Sequence, residues 1–146
     1  MTRNYQPREI DRMQLDNGRA MNFLPRLIAC LVLADGEIEF RRKALERCGE
    51  VGLEFGTVFT ARTLQGATEI ARLYLMTHGR MVTQFAPSDA ARIWHGGPHG
   101  FLEKKTIPYW QHVQRYFASG QSTGELRRMV EEVADGTFQG PEARMN

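Results

Sequence analysis

The run LIACLVLA at residues 27–34 is the longest apolar stretch in the chain, and it is far too short to cross a bilayer, which takes about 20 residues. No membrane span is therefore expected. Phe23, Leu24, Leu27, Ile28, Leu31 and Val32 recur at helical spacing, Pro25 suits a first turn, and Gly36 supplies a stop. The pattern predicts a central buried helix around which the remaining segments pack. Some 26 residues of mixed charge precede the run, longer than an ordinary leader. The chain is accordingly expected to be made in the cytoplasm without a clear signal peptide.

A chain of 146 residues, 42% hydrophobic and 25% charged, suits one soluble domain with a single core. Residues 1–20 and 136–146 are polar or weakly patterned and are expected to be peripheral. The net charge of +2 is too mild for a nucleic-acid binder, and the local run Arg41, Arg42, Lys43, Arg47 reads as a solvated helix face. Cys30 and Cys48 are the only cysteines. Cys30 falls in the apolar run, so a buried free thiol in a reducing compartment is expected rather than a disulfide framework.

Further helices are predicted over 37–48, from about Thr63 to Gly79, from Ser88 as N-cap through Trp94, over the stretch holding Tyr109, Trp110, Val113, Tyr116 and Phe117, and from Ser122 or Thr123 through Val133. Glycines at 49, 52 and 56 point to a β-hairpin or irregular segment near 49–60. The fold class is mainly α, without repeats or low-complexity segments.

The stretch ARIWHGGPHGF at 91–101 concentrates glycines between aromatics and histidines. A metal clip would use His95 and His99 with His78 or His112, but Gly96, Gly97 and Pro98 prevent a helix from aligning them and no cysteine or acidic pair completes the set. A phosphate cradle would use Lys104, Lys105 and Thr106 before the next helix, but the order departs from the nucleotide-binding pattern. Neither metal nor cofactor is expected. A groove fits better: residues without side chains at 96 and 97 admit a bulky polar ligand to the backbone, and Trp94, Tyr109 and Trp110 offer flat faces for sugars. The competing use of those aromatics is core packing.

The segment ARIWHGGPHGFLEKKTIPYWQHVQRYF resembles the C-terminal part of invertebrate-type lysozymes and of related bacterial and phage lysozyme-like proteins, where an Ala-Arg-Ile helix leads into a His-Asn-Gly-Gly-Pro-x-Gly loop followed by a threonine and a Tyr-Trp pair. Lytic transglycosylases carry a comparable loop. The matching residues are Ala91, Arg92, Ile93, Gly96, Gly97, Pro98, Gly100, Thr106, Tyr109, Trp110 and Val113. Trp94 stands where the family has His or Tyr, and His95 where it has Asn. The resemblance implies a mostly helical lysozyme-like domain with a cleft for the β-1,4-linked glycan of peptidoglycan, whose wall would be Trp94, His95, Gly96, Gly97, Pro98, Gly100 and Tyr109.

In that family a glutamate closes the first long helix, and an aspartate precedes a turn ending in Gln-Ile. Glycoside cleavage needs a protonated carboxyl in a relatively apolar pocket and, in many enzymes, a second carboxylate across the bond. Alignment puts Asp35 at the glutamate and Glu50 at the aspartate, with Val58 and Phe59 in place of Gln-Ile. The shorter Asp35 withdraws its carboxyl by about 1.5 Å. Glu37 or Glu39 takes the acid's place under a shifted alignment.

Two expectations follow from the resemblance. One is a peptidoglycan glycosidase, lysozyme or lytic transglycosylase, with Asp35 or Glu39 as acid and Glu50 as second carboxylate, acting at the bacterial cell wall or as a virion-associated protein. The other is a pseudoenzyme on a lysozyme-like scaffold that binds glycan or a phage or secretion-system protein.

Overall fold

The computed structural model describes residues 21–51 and 61–137. Six α-helices stand among them: α1 Leu24–Asp35, α2 Glu37–Val51, α3 Leu64–Gly79, α4 Pro87–Gly96, α5 Ile107–Phe117 and α6 Thr123–Asp135. Two 3₁₀ turns, Gly100–Leu102 and Lys104–Thr106, join α4 to α5. The mainly helical class holds, and no strand occurs among the described residues.

The apolar run does form the hub. α1 packs against α2, α3, α4, α5 and α6, and Leu27, Cys30, Leu31 and Val32 are wholly buried. A helix apolar on nearly every side is stable only when neighbours cover it all round, and the five others do so. Both cysteines are free and buried; burial pushes the Cys30 thiol up to about 12. No helix among the described residues is long and apolar enough to cross a membrane.

Helix ends follow local chemistry. The Thr63 hydroxyl accepts from the Gly66 amide at 3.0 Å to open α3. Ser122 and Glu125 cap α6 reciprocally, the Ser122 hydroxyl accepting from the Glu125 amide at 3.0 Å and the Glu125 carboxylate from the Ser122 amide at 2.7 Å. α4 departs from expectation: its N-cap is Ala86, not Ser88. Pro87 at the first helical position has no N–H to satisfy, and the Asp89 carboxylate reaches back to the Ala86 amide at 2.9 Å. In the first turn of α1, Arg26 donates to the carbonyls of Phe117 and Gln121, placing a cation on the C-terminal end of α5.

The segment near 49–60 also differs. Gly49, Glu50 and Val51 continue α2 as helix rather than beginning a hairpin. Residues 52–60, with Val58 and Phe59, lie outside the described residues, as do most of the two peripheral stretches.

Candidate functional site

The glycine loop is built by packing constraints that its sequence encodes one residue at a time. Gly97 has φ +95, a conformation that side chains rarely adopt. A Cβ on Gly100 would lie 2.1 Å from the Arg92 carbonyl oxygen, so the returning loop crosses α4 at a distance only glycine permits. Arg92 then pins the loop, its Nε donating to the Thr106 hydroxyl at 2.8 Å and its Nη2 to the Glu103 carbonyl at 2.9 Å. The buried Thr106 hydroxyl lies 2.7 Å from the carbonyl oxygens of Gly100 and of Glu103. Arg92, Gly97, Gly100 and Thr106 thus form one structural unit, which explains the motif without a ligand.

Trp94 points into the core. It is fully buried, with its ring centroid 5.0 Å from that of Phe40 and 6.2 Å from that of Tyr74. The expected sugar-stacking face does not exist, because α4 turns this side chain between α2 and α3. Its indole N–H, which burial would otherwise orphan, donates to Asp35 Oδ2 at 3.1 Å.

Asp35 closes α1, and its side chain is only 3% exposed. Oδ1 accepts from the Tyr109 hydroxyl at 2.9 Å and from Lys43 Nζ at 3.0 Å. Three donors from α2, α4 and α5 therefore converge on one carboxyl. The Lys43 ammonium, 4% exposed, also lies 3.1 Å from His95 Nδ1 and 4.3 Å from the centre of the Tyr109 ring. His95 stacks on Tyr109 with centroids 4.2 Å apart and planes 10° from parallel. Arg47 underpins this end of α4 by donating to the Trp94 and His95 carbonyls at 2.9 and 3.1 Å, a cation where a helix C-terminus favours one.

Burial sets the titration of this cluster. It pushes the Lys43 ammonium below its ordinary value, against the pull of Asp35. Burial first, and the Asp35 charge and hydrogen bond next, hold the Tyr109 phenol well above its ordinary value. Burial and then the neighbouring Lys43 charge lower His95.

The structure brings Asp35, Trp94, His95 and Tyr109 together, but in roles other than those expected. A general acid must offer a proton to a substrate oxygen; Asp35 instead spends both oxygens as acceptors from Lys43, Trp94 and Tyr109, and faces inward. Glu39 is no better placed. Its side chain is 44% exposed, Arg42 holds both its oxygens at 2.9 and 2.6 Å, and that hydrogen bonding draws its carboxyl below the usual range, away from a proton donor near neutrality. Glu37 pairs with Arg41 at 3.3 Å. Glu50 sits in the last turn of α2, and its side chain lies outside what the structure describes. Gly97 and Gly100 are buried, whereas His95, Gly96, Pro98 and His99 form the exposed face of the loop.

Lys43 and Arg47 were the residues that the sequence concealed. Both sit in a charge run, yet they fall on the face of Phe40, Ala44 and Cys48, all fully buried. Positions 40, 43, 44, 47 and 48 share one side of a helix, and that spacing is the signal that marks the two cations as inward-facing. On the surface, one open hollow of about 450 Å³ is lined by Asp35, Gly36, Glu37, Ile38, Glu39 and Val133. Another of about 370 Å³ is lined by His95, Gly96, Lys105 and Thr106. Among the described residues no group of three or more His, Cys, Asp or Glu side chains is arranged to hold a metal ion. Comparison with family models, curated proteins and solved structures finds no match to this chain.

Proposed function

We propose that this chain is a lysozyme-like helical domain that binds cell-wall glycan without cleaving it, a pseudoenzyme whose ancestral acid position has become structural. The observation that carries this reading is the Asp35 carboxyl, taken up by Lys43, Trp94 and Tyr109 at 3.0, 3.1 and 2.9 Å. The glycan-contacting face is then the outward side of the loop, His95, Gly96, Pro98 and His99, with Lys105 across the adjoining hollow. Exposed backbone at Gly96 and cationic or imidazole donors suit hydroxyl-rich and carboxylate-bearing strands. Such a module meets its polymer at the bacterial cell wall or as part of a virion.

A second reading, the glycosidase, is favoured by one observation. Asp35 ends α1 in contact with Trp94 and Tyr109, which flank the glycine loop, where the resemblance puts the acid. Incubation with purified sacculi separates the two. The binding reading expects the chain to co-sediment with sacculi, K105E and H99A to reduce that retention several-fold, and no muropeptides to appear. Muropeptide release that D35A abolishes supports the glycosidase and overturns the binding-only reading; absence of any retention removes glycan as the ligand.

A further inference from the structure

His95 touches the buried cluster in a way that depends on its protonation. Lys43 has only donors, so the 3.1 Å contact between its Nζ and His95 Nδ1 requires the imidazole to accept at Nδ1, which puts the single ring proton on Nε2. A second ring proton would set N–H against N–H across that distance and place two cations side by side. The groups acting on the ring are Asp35 from α1, Glu39, Lys43 and Arg47 from α2, Tyr109 from α5 stacked beneath it, and Lys105 across the shared hollow. Three of these are cations, and both carboxyls are already engaged, Asp35 by its three donors and Glu39 by Arg42. Among the described residues of α2, Lys43 is the one that touches the ring itself, whose other side is exposed.

We propose that His95 is an acid-released latch over the Asp35–Lys43–Tyr109 cluster, its ring leaving Lys43 and Tyr109 and turning out to solvent when it takes up a second proton. The backbone stays in place, because Arg47 holds the carbonyls of Trp94 and His95; the motion is a side-chain rotation. Departure of the ring opens the Lys43 ammonium and the Tyr109 face to the hollow beside Gly96, Lys105 and Thr106. The sign follows from the lowered titration of the seated ring. The closed form binds fewer protons than the open one, so it is favoured in full above about 6.5 and loses that advantage as the pH falls below it. The cluster is thereby exposed in mildly acidic surroundings and sealed in neutral ones, whether or not the domain binds glycan.

The indole N–H of Trp94 reports the cluster from inside, through its bond to Asp35, and Trp110 provides an internal control. ¹H–¹⁵N spectra of the full chain between pH 7.5 and 5 should show the Trp94 indole signal moving with the midpoint of the His95 ring, below about 6.5, while Trp110 stays still. In H95Q, whose amide oxygen still accepts from Lys43 but gains no proton, the Trp94 signal should hold its neutral-pH position throughout. H112Q, which alters the histidine contacting the Ala34 carbonyl, should keep the wild-type response. A Trp94 signal that moves equally in H95Q, or one that stays fixed while His95 titrates in the wild type, overturns the latch. Far-UV circular dichroism at pH 7.5 establishes that both variants are folded.

Discussion

Lys43 Nζ lies 3.0 Å from Asp35 Oδ1, with both side chains almost sealed from water. The pair joins the end of α1 to the middle of α2, and Trp94 and Tyr109 extend it to α4 and α5. Removing one member of a buried pair leaves the other charge uncompensated, at a cost of about 3–5 kcal/mol. K43M should therefore unfold at markedly lower urea concentration than wild type. The double variant D35L/K43M, which buries no charge, should recover much of that loss, so the two single costs should exceed the double cost by well over 1 kcal/mol. Additive costs in such a cycle would show that the two groups do not support each other.

The Tyr109 hydroxyl donates to the same oxygen at 2.9 Å. Y109F keeps the ring under His95 but removes the donor, and a hydrogen bond to a charged group is worth about 1.5–3 kcal/mol. Because the folded phenol is held well above its ordinary value, its contribution is present in full below about pH 10 and is lost as the pH rises through the folded value. Urea unfolding at pH 7 should show Y109F less stable than wild type, and the gap should close at strongly alkaline pH. A gap that widens with alkalinity would contradict this sign.

Two glycines in the loop should respond differently to alanine. At Gly97, φ +95 with open space around it makes the penalty conformational, about 1–3 kcal/mol. At Gly100 the new methyl meets the Arg92 carbonyl at 2.1 Å, and relief requires shifting the backbone that Arg92 and Thr106 hold. G100A should lower the unfolding midpoint more than G97A and should shift the amide signals of Arg92 and Ile93, whereas G97A should leave those two signals near their original positions. The reverse ranking would mean that the loop does not cross α4 this closely.

These cases show what the sequence made legible. α1 was readable because an apolar run at helical spacing has few other uses; the start of α6 was readable only to Ser122 or Thr123, and the reciprocal bonds with Glu125 select Ser122. The glycine loop was visible as a special backbone, but the ligand-bearing role inferred for it came from the flanking aromatics. Whether Trp94 faces solvent or core depends on the rotation of α4, which the pattern Ala90, Ala91, Ile93, Trp94 leaves to tertiary packing. Lys43 and Arg47 were hidden by their neighbours: in a run that includes Arg41 and Arg42, composition argues for a wet face, and only the register with Phe40, Ala44 and Cys48 shows that two of the four cations turn inward. The continuation of α2 through Gly49 is hidden for a related reason, since exposed glycine in a last turn costs only about 1 kcal/mol.

Asp35 is a structural acceptor, and the unfolding free energy of D35N tests this most directly. The amide keeps the shape of the side chain but leaves the Lys43 ammonium buried without its counter-charge, so urea unfolding at pH 7 should show a loss of about 3–5 kcal/mol. An acid maintained for catalysis is held at the expense of stability, so its replacement leaves the fold as stable as before or more so. Unchanged or increased stability of D35N would contradict the structural role and return Asp35 to the chemistry of the site.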